Sequence, residues 1–307
     1  MLLYIIRRLF QTIPVMIGVT LAVFLMMHLI PGDPAHIMAG ENADEAQVEQ
    51  MRENLGLNDP LHEQYIRYVV NAVQGDLGQS IRTKRDVASE IFNERFWITV
   101  QLAVLGTALS VLIGLVAGII SATRKYSFAD VGIMIVALFG LSMPNFWLGI
   151  MLIYLFSVNL GWVPVAGWGT WQHMILPVVT LGTGGAAIIA RMTRSSMLEV
   201  INQDFIRTAY AKGVSDKLVI YKHALRNALI PVVTVVGLQF GGLLGGAIVT
   251  ETVFAINGLG RLIIDSIKSH DFPMVQGTIL VCAVLFVLVN FLVDITYRLI
   301  NKRIDLN

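Results

Sequence analysis

The charge-free stretches of this chain dictate what it can fold into. Residues 9–32, 96–123, 131–190, 227–250 and 272–293 contain no Asp, Glu, Lys or Arg. A helix needs about 20 apolar residues to cross the hydrocarbon of a bilayer. Four of the windows suit one crossing each, and the 131–190 window is too long for one helix. That window breaks at Gly161, Pro164, Gly167 and Gly169, among Trp162, Trp168 and Trp171, and aromatic residues favour the membrane interface. Six helices are therefore predicted, at roughly 9–30, 98–123, 131–157, 173–190, 229–250 and 274–297. Composition agrees: 14% of residues are charged, against about 25% in soluble domains. The expected fold class is an all-α membrane protein.

Orientation follows from the basic residues, which favour the cytoplasmic side. Arg7 and Arg8 precede the first helix, Arg124 and Lys125 follow the second, and Arg298, Lys302 and Arg303 follow the sixth. Segment 191–226 carries 7 basic and 3 acidic residues, whereas 33–95 carries 6 basic and 12 acidic. Both termini are thus expected in the cytoplasm, with 33–95 outside. The first apolar run exceeds a signal-peptide core and lacks a small-x-small cleavage site, so it is expected to remain as a helix. The predicted organisation is one transmembrane domain over 1–307. Within it lie a first helix (9–30), a helical extracytoplasmic insertion (31–97), a five-helix core (98–297) and a cytoplasmic loop (191–228).

Several local features suggest roles. Pro31-Gly32-Asp33-Pro34 ends the first helix, and Leu57–Leu61 and Gly75–Ser80 read as turns. Pro144 and Asn145 sit in Ser142-Met143-Pro144-Asn145-Phe146-Trp147; a proline in a membrane helix frees a carbonyl, giving either a packing kink or a pore-lining break. Ser196-Met197-Leu198-Glu199 fits a capping box that would start a new helix. Gly237, Gly241 and Gly245, with Gly242 and Gly246, form small-residue faces suited to close helix approach. Gln239, polar at mid-membrane depth, is the best single pore-lining candidate in that helix. Pro144, Asn145, Gln239, Gly241 and Gly245 are the candidate lining of a translocation path. Asp265, Lys268 and Asp271 fit a solvated face, and Asp294 with Arg298 fits an interfacial ion pair.

Much chemistry is not signalled. A net charge of +1 gives no footprint for nucleic acid, and the single cysteine, Cys282, permits neither an internal disulfide nor a thiolate cluster. There is no phosphate-loop motif, His-Glu-x-x-His or Gly-x-Ser-x-Gly. The six histidines are scattered. No catalytic residue, metal site or cofactor is expected in this chain.

The most informative stretch is Asp204–Pro231, DFIRTAYAKGVSDKLVIYKHALRNALIP. Its pattern is helical to Lys212; Gly213 then supplies a left-handed stop. Ser215 is placed to cap a second amphipathic helix running to Asn227. Thr208-Ala209-Tyr210-Ala211-Lys212-Gly213, followed by Ile220, His223-Ala224-Leu225 and Asn227, resembles the EAA loop of permease subunits of ABC importers, and the candidate coupling residues it implies are Thr208, Ala209, Tyr210, Ala211, Lys212, Gly213, Val214, Ser215, His223, Arg226 and Asn227. Thr208 and Tyr210 depart from the pattern at its first and second-Ala positions. The resemblance implies a coupling helix that docks into a separate ATPase.

The resemblance extends along the chain. HLIPGDPA, LGLNDP and GDLGQSIRTKRDV are similar to the amino-terminal half of the dipeptide/oligopeptide/nickel branch. The short loop NLGWVPVAGWGTWQHMILP is similar to glutathione-importing permeases. Asn257-Gly258 stands where many relatives have Trp-Pro. What this implies is a bacterial inner-membrane permease that moves di- or oligopeptides, or glutathione, by alternating access. Its implied partners are a second related permease, two ATPase subunits that bind ATP and Mg, and an external solute-binding protein. A nickel or metal-chelate importer shares the frame. A secondary transporter would need midplane ionisable groups or broken-helix ion sites, and the charge-free windows argue against it. An intramembrane enzyme would need convergent Asp, His or Ser residues, and the last helix supplies only Asp294.

Overall fold

The computed structural model describes residues 2–29, 33–40 and 43–300, and they fold into helices joined by short turns. In chain order these are α1 (Leu2–Leu29), α2 (Pro34–Ala39), α3 (Glu45–Asn54), α4 (Leu61–Val73), α5 (Val87–Glu90), α6 (Phe96–Thr123), α7 (Phe128–Ser142), α8 (Asn145–Leu152), α9 (Trp171–Ile201), α10 (Asp204–Ala211), α11 (Asp216–Leu218), α12 (Leu225–Val253), α13 (Leu259–Lys268) and α14 (Phe272–Ile300). Widened turns at Ile91–Arg95, Ile153–Asn159 and Val219–Ala224 carry the chain from α5 into α6, extend α8, and carry α11 into α12. Five helical stretches are long and apolar enough to span a membrane, and α7 with α8 makes a sixth if counted as one broken span. The chain divides into two compact units, residues 1–98 with 257–287, and 99–256 with 288–307.

In the first unit, polar groups organise a helical insertion. Asp33 caps α2 by accepting from the Ala35 amide at 3.1 Å. Asp44 and Gln47 form a reciprocal capping box at the start of α3. Arg52 reaches back to Asp33 at 2.5 Å, and Arg67 bonds Asp59 across the predicted 57–61 turn. Gly56, at φ +63°, lies against the Arg67 guanidinium, where a side chain would collide. Helix α4 meets α1 through Tyr65 and Thr20, whose hydroxyls are 2.9 Å apart. The apolar core joins Val87 and Ile91 to Leu259, Leu262, Met274 and Val281, and Cys282 packs beside it. Asp271 is a correction: it is buried, not solvated. Its carboxylate accepts from the Ser80 hydroxyl and from the Ile81 amide at 3.0 Å. Asp265 does lie half-exposed and Lys268 exposed.

In the second unit, α6 and α9 approach through small residues. Gly106, Ser110, Gly114 and Gly118 are all buried along one face of α6. A side chain at Gly114 would meet Ile189, and one at Gly118 would meet Thr193. The Ser110 hydroxyl donates to the Gly182 carbonyl at 2.8 Å. The glycine-rich helix singled out from sequence behaves less uniformly: Gly237 sits against Val293, whereas Gly242 faces open space. Gly245 and the Asp294–Arg298 pair lie outside the residues whose side chains are described.

Three helix boundaries differ from expectation. The predicted 131–157 helix is two helices, with a 102° bend between Phe128–Ser142 and Asn145–Asn159. Pro144 bars Met143 from helical geometry, and Met143 takes φ −78°, ψ 126°. Helix α9 does not end near Ala190 but runs on to Ile201. Ser196 is therefore buried inside a continuous helix, and the capping box with Glu199 does not form. The fifth span likewise begins at Asp216 rather than 229.

Candidate functional site

The elbow between α9 and α12 is built from a short amphipathic helix and a left-handed stop. On α10, Ile206 and Ala209 are buried, three residues apart on one face. They pack with Met197, Val200, Val219, Ala224 and Ala228 into one apolar cluster. The opposite face presents Phe205, Arg207, Thr208, Tyr210, Ala211 and Lys212 to the exterior. Gly213 then adopts φ +77° with nothing within 4 Å of where a side chain would begin. The Gly213 amide donates to the Tyr210 carbonyl at 2.9 Å and the Val214 amide to the Ala209 carbonyl at 3.2 Å. This is a Schellman stop, accompanied by the expected apolar contact as half-buried Val214 joins the cluster.

A side-chain bond closes the elbow. The Tyr210 hydroxyl donates to Asp216 Oδ1 at 2.5 Å. That hydrogen bond, more than the burial and the carboxylate's charge that add to it, raises the phenol's pKa above its ordinary value. Ser215 occupies the N-cap position of α11 but makes no side-chain cap bond; its carbonyl accepts from the Leu218 and Val219 amides at 2.9 and 3.0 Å. The Asn227 side-chain amide donates to the His223 carbonyl at 2.7 Å. His223 is half-buried, and Arg226 and Asn227 are exposed.

The predicted coupling residues thus come together but do not share one role. Thr208, Tyr210, Ala211, Lys212, Gly213 and Ser215 lie on the outward surface, while Ala209 belongs to the internal packing. The candidate path residues are more dispersed. Pro144 is exposed, Asn145 is half-buried beside Gly184 of α9, Gln239 is half-buried and Gly241 is buried. Helices α8 and α12 meet where Gly149 faces Val253 and Phe254.

Two buried polar groups escaped the sequence reading. Asp130, at the start of α7, accepts two bonds from Arg194 of α9, at 2.7 and 2.8 Å. The Ser121 hydroxyl of α6 and the Tyr126 amide also donate to Asp130. One carboxylate therefore ties three long helices together just above the elbow. The second, Glu251, is fully buried and accepts from the Thr99 hydroxyl at 2.6 Å. The signal for Asp130 was Ser127, which caps α7 by accepting from the Asp130 amide; nothing local identifies Arg194 as its partner. Among the described residues no three His, Cys, Asp or Glu side chains are placed to hold a metal ion.

Comparison with known proteins places these features in context. Residues 114–306 match the family described as binding-protein-dependent transport system inner membrane component, and residues 1–103 match the N-terminal domain of the same systems. The glutathione transport system permease protein GsiC of Escherichia coli O6:H1 is 49% identical over 304 residues, covering 99% of each chain. Its counterparts in Escherichia coli K12 and Shigella dysenteriae serotype 1 are each 48% identical over the same span. Among solved structures, inward-facing forms of the MetNI methionine ABC transporter align with TM-scores of 0.58 and 0.56, at 20% and 24% identity. Each covers 67% of this chain and 94% of the other. That likeness shows a shared fold.

Proposed function

Because this chain belongs to the family of binding-protein-dependent transport system inner membrane components, we propose that its own importer carries glutathione or short peptides inward. The chain is the multi-pass transmembrane subunit of such a system. The observation that carries the substrate reading is the 49% identity to the GsiC glutathione permease across 99% of both chains. Under this reading, the exposed face of α10 and the Gly213 turn dock on a separate ATP-binding subunit. Two such subunits, a second homologous permease and an extracytoplasmic solute-binding protein complete the importer. The chain itself hydrolyses nothing; ATP and Mg belong to the partner ATPases. Both termini and the elbow lie in the cytoplasm, and the 33–95 insertion faces outward.

The elbow suits mechanical coupling for a physical reason. Helix α11 runs through a widened turn directly into the spanning helix α12. A push on the outward face of α10 meets a packed cluster, with no flexible linker to absorb it. ATP can then drive reorientation if it binds more tightly to the assembly in one permease conformation than in the other.

The test uses the assembled importer. Lys212→Glu with Ala211→Glu alters only outward side chains and is expected to leave the permease folded while removing the ATPase from a detergent pull-down. ATP-driven uptake of glutathione into proteoliposomes carrying the binding protein should fall at least tenfold. An ATPase retained at wild-type level would show that this face is not the dock. Absence of glutathione and dipeptide uptake by the wild-type assembly would reject the substrate assignment.

A further inference from the structure

We propose that the insertion carries a binding cavity of its own, suited to a small zwitterion with an apolar body, as a short peptide with free ends would be. The cavity measures about 580 Å³ and, among the described residues, is lined by residues between 24 and 81 and between 272 and 276. Its size falls in the usual range for small-ligand sites. It includes none of the candidate path residues Pro144, Asn145, Gln239 and Gly241. The inference rests on the importer reading only for the identity of the outward side.

The lining has the character such a ligand requires. Phe24, Leu61, Tyr68 and Phe272 supply apolar and aromatic surface, with the rings of Phe24 and Tyr68 stacked at 6.2 Å. Against it stand two guanidinium–carboxylate pairs, Arg52 with Asp33 and Arg67 with Asp59. Positive and negative groups in these pairs are equal in number. A plain anion would leave the cavity with an excess negative charge, and a plain cation with an excess positive one. A zwitterion can bring a carboxylate to Arg67 and an ammonium to Asp59 and keep every charge matched. A guanidinium has five N–H donors, and the Arg67 side chain uses one of them on Asp59.

The neutral polar groups point the same way. The Gln64 amide nitrogen is committed to the Leu57 and Asp59 carbonyls, at 3.0 and 2.8 Å, and so holds the rim in shape. Asn71 lies one turn beyond Arg67 on α4, and Gln276 lines the cavity from α14. The Tyr68 hydroxyl is shut off from solvent and lies against the Gln276 side chain, so its ring forms a fixed wall of the cavity. Burial, above all, raises the phenol's pKa, with Gln276 opposing only in part, so the hydroxyl stays a donor.

The experiment uses the whole importer in lipid nanodiscs, without ATP or binding protein. The probe is radiolabelled dipeptide Ala-Phe, compared with its N-acetylated and C-amidated forms. Saturable binding of Ala-Phe is expected, and each capped form should bind about tenfold more weakly. Arg67→Gln, which removes the positive charge assigned to the ligand carboxylate, should weaken binding about tenfold. Gln276→Leu should act in the same direction, with both variants checked for wild-type thermal midpoints. No saturable binding, equal binding of the capped peptides, or wild-type affinity in both variants would overturn the proposal. ATP-driven uptake with the binding protein, measured on the same preparations, separates the two claims. Uptake without cavity binding rejects the cavity alone, whereas cavity binding without uptake rejects the importer reading alone.

Discussion

At Gly213 the backbone itself carries the elbow. Its φ of +77° is open to glycine and strained for other residues, and no neighbour crowds the site. Gly213→Ala should therefore destabilise by about 1 kcal/mol through backbone strain alone, with Gly213→Asn milder because Asn tolerates that geometry. Thermal unfolding in detergent would rank the three. Asp130 is different in kind. Its two bonds to Arg194 and its burial mean that Asp130→Asn leaves a guanidinium without its counter-charge. A loss of roughly 3 kcal/mol is expected, read as a fall in thermal midpoint, with Arg194→Lys losing part of it by giving up the two-pronged geometry. The Tyr210–Asp216 bond sets a pH limit. The phenol's folded pKa is raised, so its contribution is complete below the ordinary value of about 10 and is lost as pH climbs through the raised one. Absorbance titration of wild type against Asp216→Asn should show an alkaline step that moves down in the variant.

Helices distribute these residues between inside and outside. The two faces of α10 predict opposite consequences for neighbouring substitutions. Ala209→Glu forces a charge into the cluster of Ile206, Met197 and Val219 and should cost roughly 3 kcal/mol of stability. Lys212→Glu changes an exposed residue and should leave the midpoint nearly unchanged. Measuring unfolding and ATPase capture on both variants separates packing from docking; equal midpoints would contradict the inward placement of Ala209. The α7–α8 break is also a property of elements. Pro144→Ala lifts the ban on helical geometry at Met143, so the 102° bend should relax toward a straighter span. Spin labels at Ile135 and Val158, both exposed, should report a longer and broader distance distribution; an unchanged distribution would mean that packing around Gly149 and Phe254 holds the bend without the proline.

At the scale of the molecule, much was legible before any coordinates. Among the described residues, the charge-free windows located the five continuous spanning stretches and the bent α7–α8 pair, because lipid imposes a length and a composition that leave a continuous trace. Gly213 was legible because left-handed geometry selects a residue type. The 75–80 turn was legible for the same reason, through Gly75 and Gly78, and the 57–61 turn because Pro60 cannot continue a helix. What failed to show depends on partners distant in sequence. Asp271 looked solvated, yet it receives the 80–82 loop from 190 residues away. Asp271→Ala should free that loop, and limited proteolysis between Arg82 and Arg85 should become faster; unchanged cleavage would argue that the Val87–Leu259 packing holds it alone. Ser196 matched a capping box, but a helix that continues through it is favoured by the burial of Met197 and Val200, and packing outweighs a local cap. Small residues mark close helix approach in any span, so sequence could point to glycines on α12 but not to the α6 face that meets α9. The sequence by itself determined where the apolar stretches lie, the elbow and the family, because each is written in runs of neighbouring residues. Only the tertiary structure decided which face of α10 looks outward, where the third span breaks its axis, and which carboxylates are buried, because those depend on contacts between residues that chain order does not bring together.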